Sequence, residues 1–321
     1  MELPAQLRQA VDSALAGVSL TELTAAAKAL SQRYRDEVRD GRLHISDNRF
    51  ALAYIATRMP ATYAAIHAAL SALGEQLPDF APRSLLDVGA GPATVMWAAA
   101  DVWPDIEAAT LVETSPAIRA LGEKLAAGSS ISRINWRAAD LRTDLPEVQH
   151  DLVTLAYVLD ELAPKDRGAL VDRLWSLSRH VLLIVEPGTT AGWLRILDAR
   201  AQLTADGAHV LAPCPHALAC PIAEPDWCHF SARVARSRIH RIAKEAEVPW
   251  EDEKFIYLAA SRTPALHRAS RVLDRPENAS GRVQLKLCQP DGTATHRLVT
   301  RREGEVFKRA RRVDWGDAFG E

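Results

Sequence analysis

The chain has 321 residues, of which 48% are hydrophobic and 25% are charged. This composition is that of a globular protein, and it excludes a fibrous or wholly disordered chain. At this length we expect one large domain with smaller attachments. The 39 basic and 41 acidic residues give a formal net charge of −2, so only local clusters of charge can indicate a nucleic-acid partner.

The sequence shows no sign of a membrane partner. No stretch reaches the roughly 18 uninterrupted apolar residues that span a bilayer. The first six residues, Met-Glu-Leu-Pro-Ala-Gln, lack the basic region followed by an apolar region that marks a secretory signal. We therefore expect a cytoplasmic protein, and the sequence leaves its oligomeric state open.

Residues 1–80 predict an N-terminal helical region, because leucine and valine recur there at helical spacing among many alanines. From Ser84, short apolar runs alternate with helical segments, a pattern typical of a parallel sheet with crossover helices. The predicted strands are Ser84–Val88, Ala109–Val112, Ile134–Ala138, Leu152–Tyr157 and His180–Glu186.

Further along the chain the pattern changes twice. We expect a helix at about Trp193–Leu203, a Pro/Cys/His-rich stretch at 212–230, a basic helix at about 231–246 and a strand at Lys254–Ala260. Short alternating runs after residue 264 indicate a small β-rich unit. The predicted organisation is a helical region at 1–80, a Rossmann-like domain at 81–205 and 247–263, a Cys-rich metal-binding insertion at 206–246 and a C-terminal unit at 264–321.

A glycine-rich turn directly follows the first predicted strand, in the run LDVGAGP at 86–92. Glycines at these positions allow a sharp turn and let a ligand approach the backbone closely. The third glycine of the dinucleotide fingerprint is missing, and Asp87 precedes the first glycine. This combination favours S-adenosylmethionine over NAD, and with the strand pattern it predicts an α/β class I (Rossmann-like) methyltransferase fold.

Acidic residues at the ends of later strands extend the predicted cofactor site. Glu113, about twenty residues beyond the glycines, can accept both ribose hydroxyl hydrogens, and Asp140 can accept from the adenine amino group. The predicted cofactor-binding residues are Asp87, Gly89, Gly91, Glu113, Asp140 and Tyr157. Catalytic residues stay unassigned: Asp160 and Glu161 are weak candidates to orient a substrate, and they could equally cap the following helix.

Three of the four cysteines, Cys214, Cys220 and Cys228, fall within fifteen residues, and Cys288 follows in the C-terminal unit. In a reducing cytoplasm such crowding indicates metal binding or catalysis before disulfides. Structural zinc usually takes cysteines about two to four residues apart, whereas iron–sulfur cysteines arrive on wider loops. The spacing favours an iron–sulfur cluster, with two alternatives: zinc aided by His216 or His229, and four unconnected buried thiols.

Two clusters of basic residues suit phosphate contacts. Arg233, Arg236, His240 and Lys244 would share one face of the predicted basic helix, and no acidic residue lies between 229 and 244. The second cluster, near the end of the chain, includes Arg301, Arg302 and Arg309. Either cluster alone reads as a solvated basic face, but the two together favour a nucleic-acid partner, in particular RNA.

Several motifs resemble the methyltransferase-like proteins of the small ribosomal subunit, a family found in bacteria and mitochondria. These motifs are YIATRMPATY (54–63), LDVGAGP (86–92), YVLDEL (157–162), EPGT (186–189), PCPH (213–216), WCHF (227–230) and EDEKF (251–255). The resemblance covers about residues 45–320. It implies a 4Fe–4S cluster on Cys214, Cys220, Cys228 and Cys288 and association with small-subunit ribosomal RNA during assembly. No mitochondrial presequence is evident, which fits a bacterial member.

The sequence therefore predicts an S-adenosylmethionine-dependent methyltransferase-like protein that acts on or binds small-subunit ribosomal RNA in ribosome assembly or translation. Two alternatives stay open. One is a non-catalytic assembly factor with the same fold. Cofactor binding without methyl transfer would support this alternative. The other is a small-molecule methyltransferase with a zinc-stapled lid, which predicts a colourless protein that ignores RNA.

Overall fold

The computed structural model describes residues 1–36, 43–265 and 268–320. Its first part is helical, as predicted for residues 1–80, with helices α1 (Ala5–Leu15), α2 (Leu20–Arg35), α3 (Asn48–Thr57) and α4 (Met59–Gln76). The start of α3 is fixed by Asp47, whose side chain accepts hydrogen bonds from the Arg49 and Phe50 amides. Within the described residues, no helix combines the length and apolar character that crossing a membrane requires.

Eight of the described strands form the main sheet. They are β1 (Ser84–Val88), β2 (Ala108–Val112), β3 (Arg133–Arg137), β4 (His150–Ala156), β5 (Ser178–Pro187), β6 (His209–Ala212), β7 (Phe230–Ala235) and β8 (Trp250–Ser261). Their order is β3-β2-β1-β4-β5-β8-β6, with β7 also paired to β8. Strands β1 to β5 are parallel, and β8 runs antiparallel to β5, β6 and β7.

The predicted strands of this sheet are confirmed with small changes at their ends, and β6 and β7 are additional. Helices α5 (Thr94–Val102), α6 (Pro116–Ala126), α7 (Pro164–Leu177), α8 (Thr190–Ala205) and α9 (Arg238–Ala243) accompany it. The middle of β4 and β5 is buried on both faces, which accounts for their nearly continuous apolar runs. Strand order reverses between β1 and β4, the position at which such sheets open a ligand crevice.

The helix predicted at 231–246 is wrong over its first part. Phe230, Ala232 and Val234 are buried and alternate with more exposed residues, so the apolar period is two and the segment forms strand β7 against β8. Helix α9 covers only Arg238–Ala243. Arg233 therefore lies on a strand and shares no helical face with Arg236, His240 and Lys244. Because β6 and β7 both belong to the main sheet, only residues 213–229 between them lie outside it.

The C-terminal part forms a second sheet of five described strands. They are β9 (Ser270–Val272), β10 (Glu277–Ala279), β11 (Arg282–Cys288), β12 (Ala294–Thr300) and β13 (Ala318–Phe319). A 3-10 turn (Arg301–Glu303) and α10 (Glu305–Ala310) follow β12. This sheet has a small apolar core of its own, which includes Val283, Leu285 and Phe307. Cys288 ends β11 and is buried.

Candidate functional site

A cleft of about 1040 Å³ opens at the carboxyl ends of the parallel strands, beside the reversal of strand order. Its lining includes most of the residues that the sequence assigned to the cofactor and the acceptor, namely Gly89, Gly91, Glu113, Asp140, Tyr157, Asp160 and Glu161. The volume lies slightly above the range of about 300–1,000 Å³ that is usual for small-molecule sites. The cleft therefore has room for a ligand the size of a nucleoside cofactor and for an acceptor group.

The glycine loop after β1 is shaped by two residues with positive φ, Gly89 at 75° and Gly91 at 53°. A Cβ at Gly89 would collide with the Val158 side chain, whereas a Cβ at Gly91 would meet no atom within 4 Å. The amides of Gly89 and Ala90 both donate to the Val112 carbonyl oxygen, which fixes the loop to the end of β2. Gly91 thus presents bare backbone to the open space of the cleft.

Glu113 lies directly across from this loop, at the end of β2. Its Oε2 accepts from the Gly91 amide at 2.9 Å, and its Oε1 accepts from the Ser115 amide at 2.7 Å. Burial raises the pKa of Glu113, and the bonds from Ser115 and Gly91 oppose that rise. Each carboxylate oxygen keeps a further lone pair, so both can accept from the hydroxyls of a bound ribose.

Asp87 does not line the cleft. Its side chain is completely buried, and Oδ1 accepts a hydrogen bond from Thr154 Oγ1 at 2.8 Å. Burial raises the pKa of Asp87 to about 7; the Thr154 bond opposes this rise and the charge of Glu113 adds to it. Asp87 lies behind the glycine loop and supports it. Its buried side chain is not placed to contact a cofactor in the cleft.

Asp140 and Tyr157 both line the cleft, and their side chains differ in hydrogen bonding. Asp140 accepts from Arg142 Nε at 2.9 Å and from Nη2 at 2.6 Å, and this guanidinium holds the pKa of Asp140 below its usual value. Tyr157 has a φ of 60°, rare for a non-glycine residue, and among the described residues its buried hydroxyl has no hydrogen-bond partner. Such local strain is often found at ligand sites.

Sequence reasoning assigned no role to the residues of the opposite wall, among them Tyr34, Tyr54, Arg58 and Glu253. Arg58 Nη2 pairs with Glu253 Oε1 at 3.1 Å, and both side chains are largely buried. Burial raises the pKa of both tyrosines, so they stay neutral. The motifs at 54–63 and 251–255 contain three of these four residues, but local sequence did not show that they meet.

The acceptor side of the cleft is acidic. Glu186 is fully buried, where its Oε2 accepts from Arg195 Nε at 2.6 Å and its Oε1 accepts from the Leu159 amide at 3.1 Å. Burial, followed by the charge of Asp160, raises the pKa of Glu186 to about 8, against the effect of Arg195. Helix α7 begins after Ala163 without a side-chain cap. The alternative that Asp160 or Glu161 caps this helix is therefore wrong.

All four cysteines line one small cavity beneath the loop 213–229, between α8, β8 and the second sheet. They are free thiols, and Cys288 Sγ lies 3.4 Å from His216 Nε2. Burial raises the pKa of Cys214 and Cys228, and raises that of Cys288 to about 12. Over the part of the chain that the structure describes, no three Cys, His, Asp or Glu side chains form a group able to hold a metal ion.

The first predicted basic cluster is paired with acidic residues of β8. Arg233 Nε binds Asp252 Oδ1 at 2.7 Å, and Arg236 and Lys244 bind Glu251 Oε2 at 2.9 and 2.6 Å. His240 is completely buried, so it cannot contact a macromolecule on the surface. Arg236 and Lys244 line the cleft and do not form an outer basic face.

The second basic cluster is different. Arg301, Arg302 and Arg309 are exposed. Within the described residues, no carboxylate forms a recorded ion pair with any of the three. This cluster is therefore the part of the predicted RNA surface that remains available to phosphates.

The strand order, the antiparallel strand β8, the glycine loop after β1 and the carboxylate after β2 together define a class I methyltransferase fold. A family model described as mitochondrial small ribosomal subunit Rsm22 matches residues 48–320. The chain belongs to this Rsm22 family.

Two mitochondrial relatives illustrate the match. The human ribosome assembly protein METTL17 is 34% identical over 290 residues, which cover 83% of this chain and 62% of the relative. Rsm22-cox11 tandem protein 2 of Schizosaccharomyces pombe is 26% identical, over 84% of this chain and 43% of the relative. The chain thus spans less than two thirds of the length of either relative.

Among solved structures, magnesium protoporphyrin IX methyltransferase from Synechocystis PCC 6803 with bound SAH is 14% identical at a TM-score of 0.41. The match covers 73% of this chain and 94% of that chain.

The expected cytoplasmic location is wrong, because the matching family and the curated relatives are mitochondrial. The missing secretory signal on which that expectation rested does not distinguish a cytoplasmic from a mitochondrial protein.

Proposed function

We propose that this protein binds S-adenosylmethionine in the cleft and acts in assembly of the small ribosomal subunit through its ribosomal RNA. The observation that carries the cofactor is the pairing of the Glu113 carboxylate with the Gly91 amide at the open edge of the glycine loop. The assembly role is supported by membership of the Rsm22 family and by the relative METTL17, a ribosome assembly protein.

The residues of the cleft fit the three parts of this cofactor. Glu113 would accept from the ribose hydroxyls, Asp140 would accept from the adenine amino group, and the bare backbone at Gly91 leaves room for the amino-acid part. The bound cofactor would supply a methyl group on a sulfonium. The chain's own contribution to transfer is alignment of an acceptor in the part of the cleft that Tyr157 and Glu161 line.

Calorimetric titration with S-adenosylmethionine and S-adenosylhomocysteine tests the cofactor site. Glu113→Gln keeps the size of the side chain but removes its charge, and a hydrogen bond to a charged group contributes about 1.5–3 kcal/mol. We expect affinity to fall by about tenfold or more. The matched control is Glu123→Gln, an exposed glutamate on α6, which should bind as the wild type does. No heat with wild-type protein would refute cofactor binding.

We further propose that Cys214, Cys220, Cys228 and Cys288 hold a 4Fe–4S cluster, with zinc as the alternative. The support is that residues far apart in sequence bring four thiols to one cavity. Thiolates are soft donors that select iron–sulfur clusters and zinc. Burial raises the pKa of the Cys228 and Cys288 thiols, so both are protonated in the free protein and metal binding would release their protons.

Purification without oxygen, followed by a visible spectrum and assays of iron, sulfide and zinc on one sample, tests this site. Brown protein with stoichiometric iron and sulfide, both lost in Cys214→Ser, supports the cluster. Colourless protein with one zinc per chain supports the alternative. Protein that holds neither metal contradicts the proposed site.

A non-catalytic assembly factor is the second candidate, and the acceptor side of the cleft favours it. Glu186 is already bound to Arg195 and to the Leu159 amide, and Asp160 is buried, so of the carboxylates discussed on this side only the exposed Glu161 is open to an acceptor. Incubation of immature small subunits with cofactor labelled in its methyl group separates the two. Label in ribosomal RNA supports a methyltransferase, whereas cofactor binding without label supports the assembly factor.

A further inference from the structure

Two buried arginines form part of the wall of the thiol cavity. Arg200 on α8 is 6% exposed and Arg271 on β9 is 3% exposed. Within the described residues, neither has a recorded ion pair with a carboxylate. Arg200 Nη2 donates to the carbonyl oxygens of His216 at 2.9 Å and Leu218 at 2.6 Å. Arg271 donates to those of Pro213 at 3.0 Å and Gly316 at 2.8 Å.

These contacts do not balance the charge of the arginines. A buried guanidinium is strongly destabilising unless an opposite charge lies nearby, and carbonyl oxygens supply dipoles only. Both arginines line the cavity together with all four cysteines. A metal ion or cluster held by these four cysteines would be the anion that the two buried cations lack.

Two residues with N–H groups also line the thiol cavity, Arg200 and His216. Among the described residues the buried Nε of Arg200 has no acceptor. His216, only 1% exposed, has its Nε2 at 3.4 Å from Cys288 Sγ. Among the described residues the cavity thus has an N–H without an acceptor on Arg200, and a ring nitrogen of His216 that already contacts a cysteine sulfur.

We infer that Arg200 and Arg271 supply the counter-charge of a metal–thiolate group in this cavity, and that Arg200 and His216 donate N–H bonds to its sulfur atoms. The inference rests on the proposed metal site. An oxidised 4Fe–4S core or a zinc ion is a dication, so four thiolates leave two negative charges, which two guanidinium groups neutralise. Arg200 is a positioning residue in this arrangement, since it acts on the metal group through the sulfur ligands.

This arrangement has a consequence for reduction of a cluster. A cluster held by the four cysteines would become more negative on taking up one electron. A nearby positive charge and N–H bonds to sulfur favour that reduced state and raise its potential. Removing the Arg200 charge should therefore lower the reduction potential and weaken retention of the metal.

The experiment uses the full chain, purified without oxygen and supplied with iron and sulfide. Three variants are compared with wild type: Arg200→Met, Arg200→Lys and Arg262→Met. The exposed Arg262 is the control because it also donates to main-chain carbonyl oxygens, those of Trp175 and Ser178, but does not line the thiol cavity. The readouts are the reduction midpoint, from an electrochemical titration in which the electrode supplies the electron, and the rate of iron release to a chelator.

We expect Arg200→Met to shift the reduction equilibrium at least tenfold towards the oxidised state, about 59 mV for a one-electron couple. Iron release should be several-fold faster. Arg200→Lys keeps the charge but loses the Nε–H, so its midpoint should lie between those of wild type and Arg200→Met. Arg262→Met should match wild type in both readouts.

Thermal unfolding with and without metal separates this role from a purely structural one. If Arg200 only holds the loop carbonyls, Arg200→Met lowers the unfolding midpoint of both forms equally. If Arg200 is a counter-charge, Arg200→Met lowers the unfolding midpoint of the metal-loaded protein. It does not lower the midpoint of the metal-free protein, because there the substitution removes a buried charge that no anion balances. Equal effects on both forms overturn the inference.

The remaining outcomes also decide it. Wild-type cluster with unchanged midpoint and iron release in Arg200→Met overturns the inference and leaves the cluster in place. If wild type holds zinc, the cluster fails, and faster zinc release from Arg200→Met than from Arg262→Met still supports the counter-charge. If Arg200→Met does not fold, Arg200→Lys is used instead. A reduction midpoint of Arg200→Lys equal to that of wild type overturns the proposed N–H bond from Arg200 to sulfur. A wild type without metal overturns both proposals.

Discussion

Asp87 shows at the scale of one residue how a structural carboxylate behind a binding loop should respond to pH. Its pKa of about 7 in the fold lies above the ordinary value of 3.8 because the side chain is buried. The folded state therefore binds the proton more tightly than the unfolded state. Its stabilising contribution is complete below pH 3.8 and is lost as pH rises through 7.

Asp87→Asn should remove this pH dependence. The amide keeps an oxygen that can accept from Thr154 but cannot ionise. We expect the variant to be more stable than wild type by about 2–4 kcal/mol at pH 8, at about 1.4 kcal/mol per pKa unit, with a small difference near pH 4. Urea unfolding at both pH values measures it. The exposed Asp198→Asn on α8 is the control, and a wild type and Asp87→Asn that change in parallel with pH would refute the explanation.

At the scale of elements, the two basic clusters should differ in RNA binding. Arg301, Arg302 and Arg309 around α10 are exposed, whereas Arg233 on β7 is held by Asp252. Replacing the three exposed arginines with glutamine should weaken binding to small-subunit RNA fragments. It should also reduce the slope of log affinity against log salt by about 2–3, since each phosphate contact contributes about 0.7–0.9.

Arg233→Gln is the control for this comparison, and it should leave both the affinity and the salt slope close to wild type. Fluorescence anisotropy across a salt series gives both quantities. Equal losses in the triple variant and in Arg233→Gln would show that the two clusters bind RNA together, contrary to the assignment made here.

The same elements show what local sequence can and cannot reveal. The glycine loop and Glu113 are predictable, since each sits at the end of an apolar strand in a fixed order along the chain. Strand β7 was not predicted, because Arg233 and the basic residues that follow the strand mask its alternating apolar pattern. The acidic residues that pair with this segment, Glu251 and Asp252, lie on β8. The sequence of residues 231–246 does not indicate these partners.

The cleft wall also contains a contact that local sequence does not predict, between residues far apart along the chain. Arg58 and Glu253 meet at its wall although 195 residues separate them. Arg58 lies at the junction of α3 and α4, and its ion pair depends on α4 packing against β8, which neither spacing nor composition specifies. Convergence of the four cysteines was predictable as a cluster, but the buried Arg200 and Arg271 beside them were not.

At the scale of the whole molecule, the thiol cavity lies where the second sheet meets the loop between β6 and β7. Cys288 comes from the second sheet, and the other three cysteines come from the loop between β6 and β7. The same loop reaches the cleft, because Trp227 Nε1 donates to the Gly188 carbonyl oxygen at 3.0 Å and Gly188 lines the cleft. A metal group in the cavity would therefore fasten the second sheet to the loop and support one wall of the cleft.

Metal removal should consequently destabilise the second sheet first, because its separate apolar core is small. A ligand that binds only the folded state at about 1,000 times its Kd adds about 4.1 kcal/mol. At about 2–4 °C per kcal/mol, we expect a chelator to lower the unfolding midpoint by about 8–16 °C. Calorimetry should then show a separate early transition for the C-terminal strands.

Cys288→Ser should reproduce the effect of the chelator and respond no further to it. Gln284→Ser is the matched control, since Gln284 is an exposed residue on the same strand β11, and it should respond to the chelator as wild type does. A wild type whose unfolding is indifferent to the chelator would show that packing alone fastens the second sheet. The buried contacts of Arg271 with Pro213 and Gly316 would then be the first place to look for that packing.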